Sequence, residues 1–198
     1  TYGSGNILNA DTDALVNTVN TVGIMGKGIA LQFKLAYPDM YKKYVSDCKQ
    51  NRVELQKMHV YRLDAIMRPY YIINFPTKAH WKSNSQLADI EGGLHDLARV
   101  IDEYGITSIA IPPLGCGLGG LQWSQVLPLI TRILEPLSDV NIIIYPPAGS
   151  PSSQAIVTSD EHVSLTVVRA TIVELISRYN QIALCSTRLE AQKLMYFA

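Results

Sequence analysis

Long apolar runs are missing from this chain. The longest are strand-sized, too short to cross a bilayer as a helix. Cysteine is scarce: Cys48, Cys116 and Cys185 are spaced as neither a disulfide framework nor a metal-ligand cluster. That points to a reducing, cytoplasmic setting and to a protein with no structural metal. No secretory pattern precedes the first apolar run. Net charge is absent as well, with 17 Lys and Arg against 17 Asp and Glu. The balance hides an asymmetry. Residues 27–82 carry 11 basic against 4 acidic side chains, and the remainder 6 against 13. A basic middle segment suits a phosphate-bearing partner, nucleic acid included, although solvated helix faces give the same count.

What is present is a core-forming composition. The 198 residues are 47% hydrophobic and 17% charged, with a mean hydropathy of +0.09. A folded domain of ordinary size follows, and the composition argues against disorder. Two glycine-rich loops dominate the pattern. One is Asn20-Thr21-Val22-Gly23-Ile24-Met25-Gly26-Lys27-Gly28, after the apolar Ala14-Leu15-Val16. The other is Pro112-Pro113-Leu114-Gly115-Cys116-Gly117-Leu118-Gly119-Gly120, after Ile109-Ala110-Ile111. Each leads into helical periodicity. A strand, a glycine loop and a helix N-terminus together make an anion site from backbone N–H groups and the helix dipole. Two such loops in one domain suggest a diphosphate held between them.

Periodicity predicts strands over 2–7, 14–19, 58–63, 70–75, 108–111 and 141–145. It predicts helices over 26–36, 38–49, about 83–104 and 124–137. Pro38 suits a first helical turn. Leu87, Ile90, Leu94, Leu97 and Ile101 form one apolar stripe, and Gly105 ends that helix. Lys78 to Asn84 reads as a polar loop. Strands alternating with helices imply an α/β fold with a largely parallel sheet. The Pro/Gly/Ser-rich stretch from Pro146 to Ser153 marks a boundary. It separates a domain over 1–150 and a linker over 151–159 from a helical segment over 160–198. That segment has two apolar-faced helices and no core of its own. It is expected to be the start of a further C-terminal domain, or an arm that docks elsewhere.

Three ordered signatures carry a resemblance. They are Asn17 to Ala30, Phe75-Pro76-Thr77-Lys78-Ala79-His80-Trp81, and Leu114-Gly115-Cys116-Gly117-Leu118-Gly119-Gly120-Leu121-Gln122-Trp123. Together they resemble the macrodomain family, which binds ADP-ribose, and within it the DarG-type antitoxins. The resemblance covers roughly residues 1–150 and continues into the helix after the linker. It implies a three-layer α/β/α sandwich around a mixed sheet, with a C-terminal helical extension. It implies a DNA ADP-ribosyl glycohydrolase that removes ADP-ribose from thymine bases of single-stranded DNA. Such an antitoxin undoes the mark left by a DarT-type toxin and needs neither cofactor nor metal. The implied partners are ADP-ribosylated DNA, ADP-ribose as product, and the toxin through the C-terminal region.

The resemblance also assigns residues. Lys78 would be catalytic, acting at the anomeric carbon of the distal ribose by covalent attack or by charge. A nucleophilic lysine must be partly neutral, so its pKa must be lowered by burial or by cations such as Lys27 or Lys82. Asn6, Ile7 and Tyr145 would hold adenine, although asparagine accepts more weakly than an aspartate at that point. Asn20, Val22, Gly26, Lys27, Gly28 and Thr77 would line the first side of the ligand. Leu114, Gly115, Cys116, Gly117, Leu118 and Gly119 would line the second. Cys116 reads as a small packed residue, since no histidine accompanies it. Asn17 is balanced between ligand contact and turn formation. His80, Trp81 and Lys82 form a possible DNA contact, set against an ordinary exposed loop.

One departure matters. A lysine-dependent relative carries an acid where this chain has Gly119, so a second catalytic group must come from elsewhere in the chain, from water or from the substrate. His80 is the nearest titratable side chain in sequence. Two other functions stay open: a macrodomain that reads ADP-ribose without cleaving it, and an antitoxin that captures its toxin directly.

Overall fold

β1 (Ala14–Asn20) is buried on both faces because it is the middle strand of the sheet. In the computed structural model, which describes residues 1–147, β2 (His59–Arg62), β3 (Tyr71–Lys78), β4 (Ser108–Ile111) and β5 (Asn141–Ile144) complete it. The order is β2-β3-β1-β4-β5. β3, β1, β4 and β5 run parallel, and β2 pairs antiparallel with β3, so the sheet is mixed. The expected linker at 151–159 and the helices of 160–198 lie outside the described residues.

Four helices flank the sheet: α1 (Gly28–Ala36), α2 (Pro38–Lys49), α3 (Leu87–Glu103) and α4 (Trp123–Leu134). Strand alternation divides the apolar side chains between two cores. Leu15, Val19, Ile72 and Ala110 pack with Phe33, Met40 and Tyr44 of α1 and α2. Ala14, Val16, Ile73, Phe75, Ile109 and Ile111 pack with the stripe of α3 and with Val126 and Ile130 of α4. Ile90, Leu94 and Leu97 are fully buried, and truncating any one to alanine costs about 2–5 kcal/mol. No helix among the described residues is long and apolar enough to cross a membrane.

The connections place the candidate site. From β1 the chain runs out to β2 and β3 on one side. From β3 it crosses back over to β4 on the other. β1 is therefore a topological switch point, where α/β folds place ligands. Its pairing with β4 is confined to Ala14 with Ile109 and Leu15 with Ala110. Pro112 and Pro113 follow β4 and cannot donate to a ladder. Beyond that point the two strands part, and both glycine loops leave from the same sheet edge.

Several boundaries differ from those expected. Tyr2 makes a single bridge to Ile144, and the segment then turns at Gly5 into a 3-10 helix, Ile7–Asn9. Asn6 caps that helix, a competing local interaction that displaces the strand. α1 begins at Gly28 and not at Gly26. α4 stops at Leu134, ahead of Pro136, which has no N–H with which to continue the helical ladder. β3 continues through Thr77 and Lys78, so Lys78 is a strand residue and not a loop residue.

Candidate functional site

Lys78 ends β3 opposite Asn20, at a register shift in β1. Its ammonium donates to the carbonyl oxygen of Leu118 at 2.8 Å, which ties it to the second glycine loop. The next residue is tied to the first. Ala79 O accepts from Thr21 N at 3.2 Å and from Thr21 Oγ1 at 2.8 Å. Lys78 therefore sits between the two loops. Burial pushes its ammonium pKa below the ordinary lysine range. Desolvation does this without help from Lys27 or Lys82. Lys82 lies instead over the Trp81 ring, 4.9 Å from its centroid.

The first loop is closed by its own asparagine. Asn20 Oδ1 accepts from Val22 N at 3.1 Å and from Ile24 N at 3.2 Å, and Asn20 Nδ2 donates to Ile24 O at 2.6 Å. Tyr44 Oη donates to Asn20 O at 2.6 Å, and burial pushes that phenol strongly upward. Asn20 thus spends its amide on shaping the loop. Val22 and Ile24 are left exposed at its tip, followed by exposed Gly26, Lys27 and Gly28. Thr77 is buried, its hydroxyl 3.4 Å from Val19 O.

The second loop is supported from below by Ser85, whose N–H donates to Gly119 O at 2.9 Å. The adjacent carbonyls of Leu118 and Gly119 are thus gripped by the two ends of one segment, Lys78 to Ser85. Gly115 has φ +69°, a conformation that disfavours any side chain. At Gly119 the constraint is space. A Cβ there would run into Ser85 Oγ and the Gly115 carbonyl. The missing acid therefore has a local cause: the loop closes too tightly to admit one. Gly117 is different, with open space around it. Leu114 is buried, and Cys116 Sγ lies 3.4 Å from Leu114 O. Burial pushes the Cys116 thiol up, away from a reactive thiolate.

At the far end, Tyr145 continues β5 and donates its N–H to Ile111 O. A Cβ on Gly3 would come within 2.6 Å of its ring. Asn6 Oδ1 accepts from Leu8 N at 3.0 Å. Ile7 is buried in the α1/α2 core. His80, Trp81 and Lys82 are all exposed, with the His80 and Trp81 rings 5.4 Å apart.

A buried polar relay had no signal in sequence. Asn17 Nδ2 donates to Asn74 Oδ1 at 2.9 Å, and Asn74 Nδ2 lies 3.1 Å from His59 Nδ1. His59 Nε2 lies 2.8 Å from Asp47 Oδ2. Because Asn74 donates to Nδ1, the His59 proton belongs on Nε2, facing the carboxylate. Burial raises the Asp47 pKa, but hydrogen bonds from Lys43 and His59 outweigh it and hold the carboxyl below its usual range. Asn17 sits beneath Met25 of the first loop, so the relay underpins that loop and resolves Asn17 as a buried strand residue. Among the described residues no three His, Cys, Asp or Glu side chains converge as a metal group would need.

With this geometry in hand, comparisons with known proteins are specific. Residues 16–130 match the Macro domain family. A DNA ADP-ribosyl glycohydrolase of Mycobacterium tuberculosis is 49% identical over 207 aligned positions, covering 100% of this chain and 58% of that protein. The chain thus spans a little over half the length of this relative. The macrodomain of Mycobacterium tuberculosis DarG superposes with a TM-score of 0.74 at 54% identity, over 75% of this chain and 97% of that one. Thermosipho africanus DarTG, solved in complex with ADP-ribose, gives 0.70 at 35% identity, over 78% and 43%. The chain belongs to the macrodomain family, in its DarG group.

Proposed function

We propose that this chain is the hydrolytic domain of a DNA ADP-ribosyl glycohydrolase, an antitoxin that removes ADP-ribose from thymine bases. The observation that carries the reading is the position of Lys78. Its amine lies between the two glycine loops, is partly withdrawn from water, and is held by a neutral carbonyl. The exposed backbone of Gly26 to Gly28 and the open Gly117 suit a diphosphate between them. Asn6 and Tyr145 suit the adenine end, and Val22, Leu118 and Thr77 the ribose and loop walls. Cys116 and Leu114 keep the second loop in shape.

The reaction cleaves the bond between the distal ribose anomeric carbon and the thymine nitrogen. Water supplies hydroxyl to the sugar carbon and a proton to the base nitrogen. Lys78 serves at the anomeric carbon, as a nucleophile when neutral or by charge when protonated. The glycohydrolase activity of the Mycobacterium tuberculosis relative and the ADP-ribose bound to Thermosipho africanus DarTG support this reading. Turnover of a single-stranded oligonucleotide carrying an ADP-ribosylated thymine tests it, with release of free ADP-ribose expected. One observation favours a second reading, an ADP-ribose reader. Gly119 leaves no acid on the loop, and binding of ADP-ribose without release from the oligonucleotide would select that reading. A DarT-type toxin is the proposed protein partner, through residues 160–198. Co-purification with the toxin, lost on truncation after Ser153, tests that contact.

A further inference from the structure

The segment after Lys78 has a composition the bond-breaking step does not use. Ala79, His80, Trp81, Lys82, Ser83 and Asn84 are all exposed and include no acid. Trp81 is 48% exposed, a large apolar surface to leave in water. Lys82 reaches over its ring at 4.9 Å, and the Lys82 N–H lies 3.3 Å from His80 Nδ1. An indole and a cation are thus held side by side on one short turn.

The turn is not a loose one. Ala79 is bound to the first loop through Thr21, Ser85 to the second through Gly119 O, and Lys78 to Leu118. The platform is therefore fixed relative to the reacting amine. The two loops it is tied to expose apolar side chains as well: Val22 and Ile24, each 46% exposed, and Leu118 at 66%. An occupant of this rim must offer flat apolar faces and negative charge together. A nucleic-acid strand does so, with bases for the indole and phosphates for the ammonium. Only an unstacked strand fits, because in a duplex both faces of a base are already covered by its neighbours.

We infer that Trp81 is a stacking platform for a base flanking the modified thymine, with Lys82 on the adjoining phosphate. This makes a flexible single strand the preferred substrate of the site. The inference rests on the proposed glycohydrolase function and adds a residue that selects polymer over nucleoside. Lys82 leaves the indole face as the base arrives, and its ammonium moves to the backbone.

The test compares two substrates carrying the same ADP-ribosylated thymine, a nucleoside and a single-stranded oligonucleotide, through kcat/KM. The wild-type chain is expected to prefer the oligonucleotide by about tenfold or more, the scale of one base stacked on an aromatic ring. Trp81→Ala should erase about tenfold of that preference, and Trp81→Phe should keep most of it. Lys82→Gln should flatten the salt dependence of oligonucleotide turnover. A wild-type enzyme without the preference, or a Trp81→Ala variant that retains it, would overturn the inference. Equilibrium binding of the unmodified oligonucleotide reads the platform separately. If neither substrate is turned over, the glycohydrolase reading fails. Weaker oligonucleotide binding by Trp81→Ala then still upholds the platform, and equal binding refutes it.

Discussion

The Lys78 ammonium donates to the backbone carbonyl of Leu118 across 2.8 Å. A carboxylate in that place would hold the proton on the amine. A neutral carbonyl holds the position of the nitrogen with far less effect on its charge. Burial brings the amine closer to its neutral, nucleophilic form than a solvated lysine, and the carbonyl opposes this only weakly.

Replacing Lys78 tests that relationship. Lys78→Ala is expected to lower turnover of an ADP-ribosylated oligonucleotide by orders of magnitude while ADP-ribose affinity, read by calorimetry, changes only a few-fold. Lys78→Arg keeps charge but cannot deprotonate, and should not restore turnover. The wild-type rate should rise with pH through a pKa below the ordinary lysine value. Full rescue by arginine would assign the residue an electrostatic role and remove the nucleophilic one.

Gly117 separates ligand binding from folding. It has open space around it and no positive φ, so alanine costs the fold little. Gly117→Ala should keep the melting temperature within a few degrees and weaken ADP-ribose about tenfold or more, because a methyl group then meets the ligand. Unchanged affinity in calorimetry would place the diphosphate elsewhere.

Gly119 behaves in the opposite way. Gly119→Asp would put an acid on the loop, yet its Cβ has no room beside Ser85 and Gly115. A loss of about 1–3 kcal/mol in stability and a fall in turnover are expected, as the loop carrying Leu118 is forced away from Lys78. A gain in turnover would mean that the loop opens readily and that the second catalytic group was merely absent.

The relay from Asp47 to Asn17 predicts an acid-sensitive fold. The Asp47 pKa is depressed in the folded state. Its stabilisation is therefore complete above the ordinary carboxylate pKa and is lost as pH falls through the lower, folded value. Asp47→Asn should cost about 2 kcal/mol at neutral pH, the scale of a hydrogen bond to a charged group, and should shallow the acid limb of stability. Denaturant titrations at several pH values check both. An unaltered acid limb would assign the acid response to another carboxylate, with Asp13 the first to test. There burial raises the pKa, but hydrogen bonds from Thr107 and Ser108 and the Arg68 charge win and lower it.

Much of this arrangement was legible from local pattern. Proline at the start of α2, the apolar stripe of α3 and the runs that become β1, β3 and β4 each act within a few residues. So do the glycines of the two loops, where backbone conformation and close approach are local demands. Order along the chain, strand then glycine loop then helix, was enough to suggest paired anion-binding loops.

Contacts between distant residues were decided by tertiary structure. Asn17, Asn74 and His59 meet because β1, β3 and β2 pair in one register, and nothing in their separate neighbourhoods announces it. Lys78 looked like a loop residue because its polar neighbours resemble a turn, but pairing with β1 extends β3 to include it. Asn20, expected from the sequence to line the ligand, also closes the first loop with its amide, a role no local pattern announces. The tight seat of Gly119 depends on Ser85, which arrives from another connection. By itself the sequence determined which segments turn, extend or coil, because those preferences are short-range. The fold alone decided which polar atoms meet, because strand register and loop closure act over tens of residues.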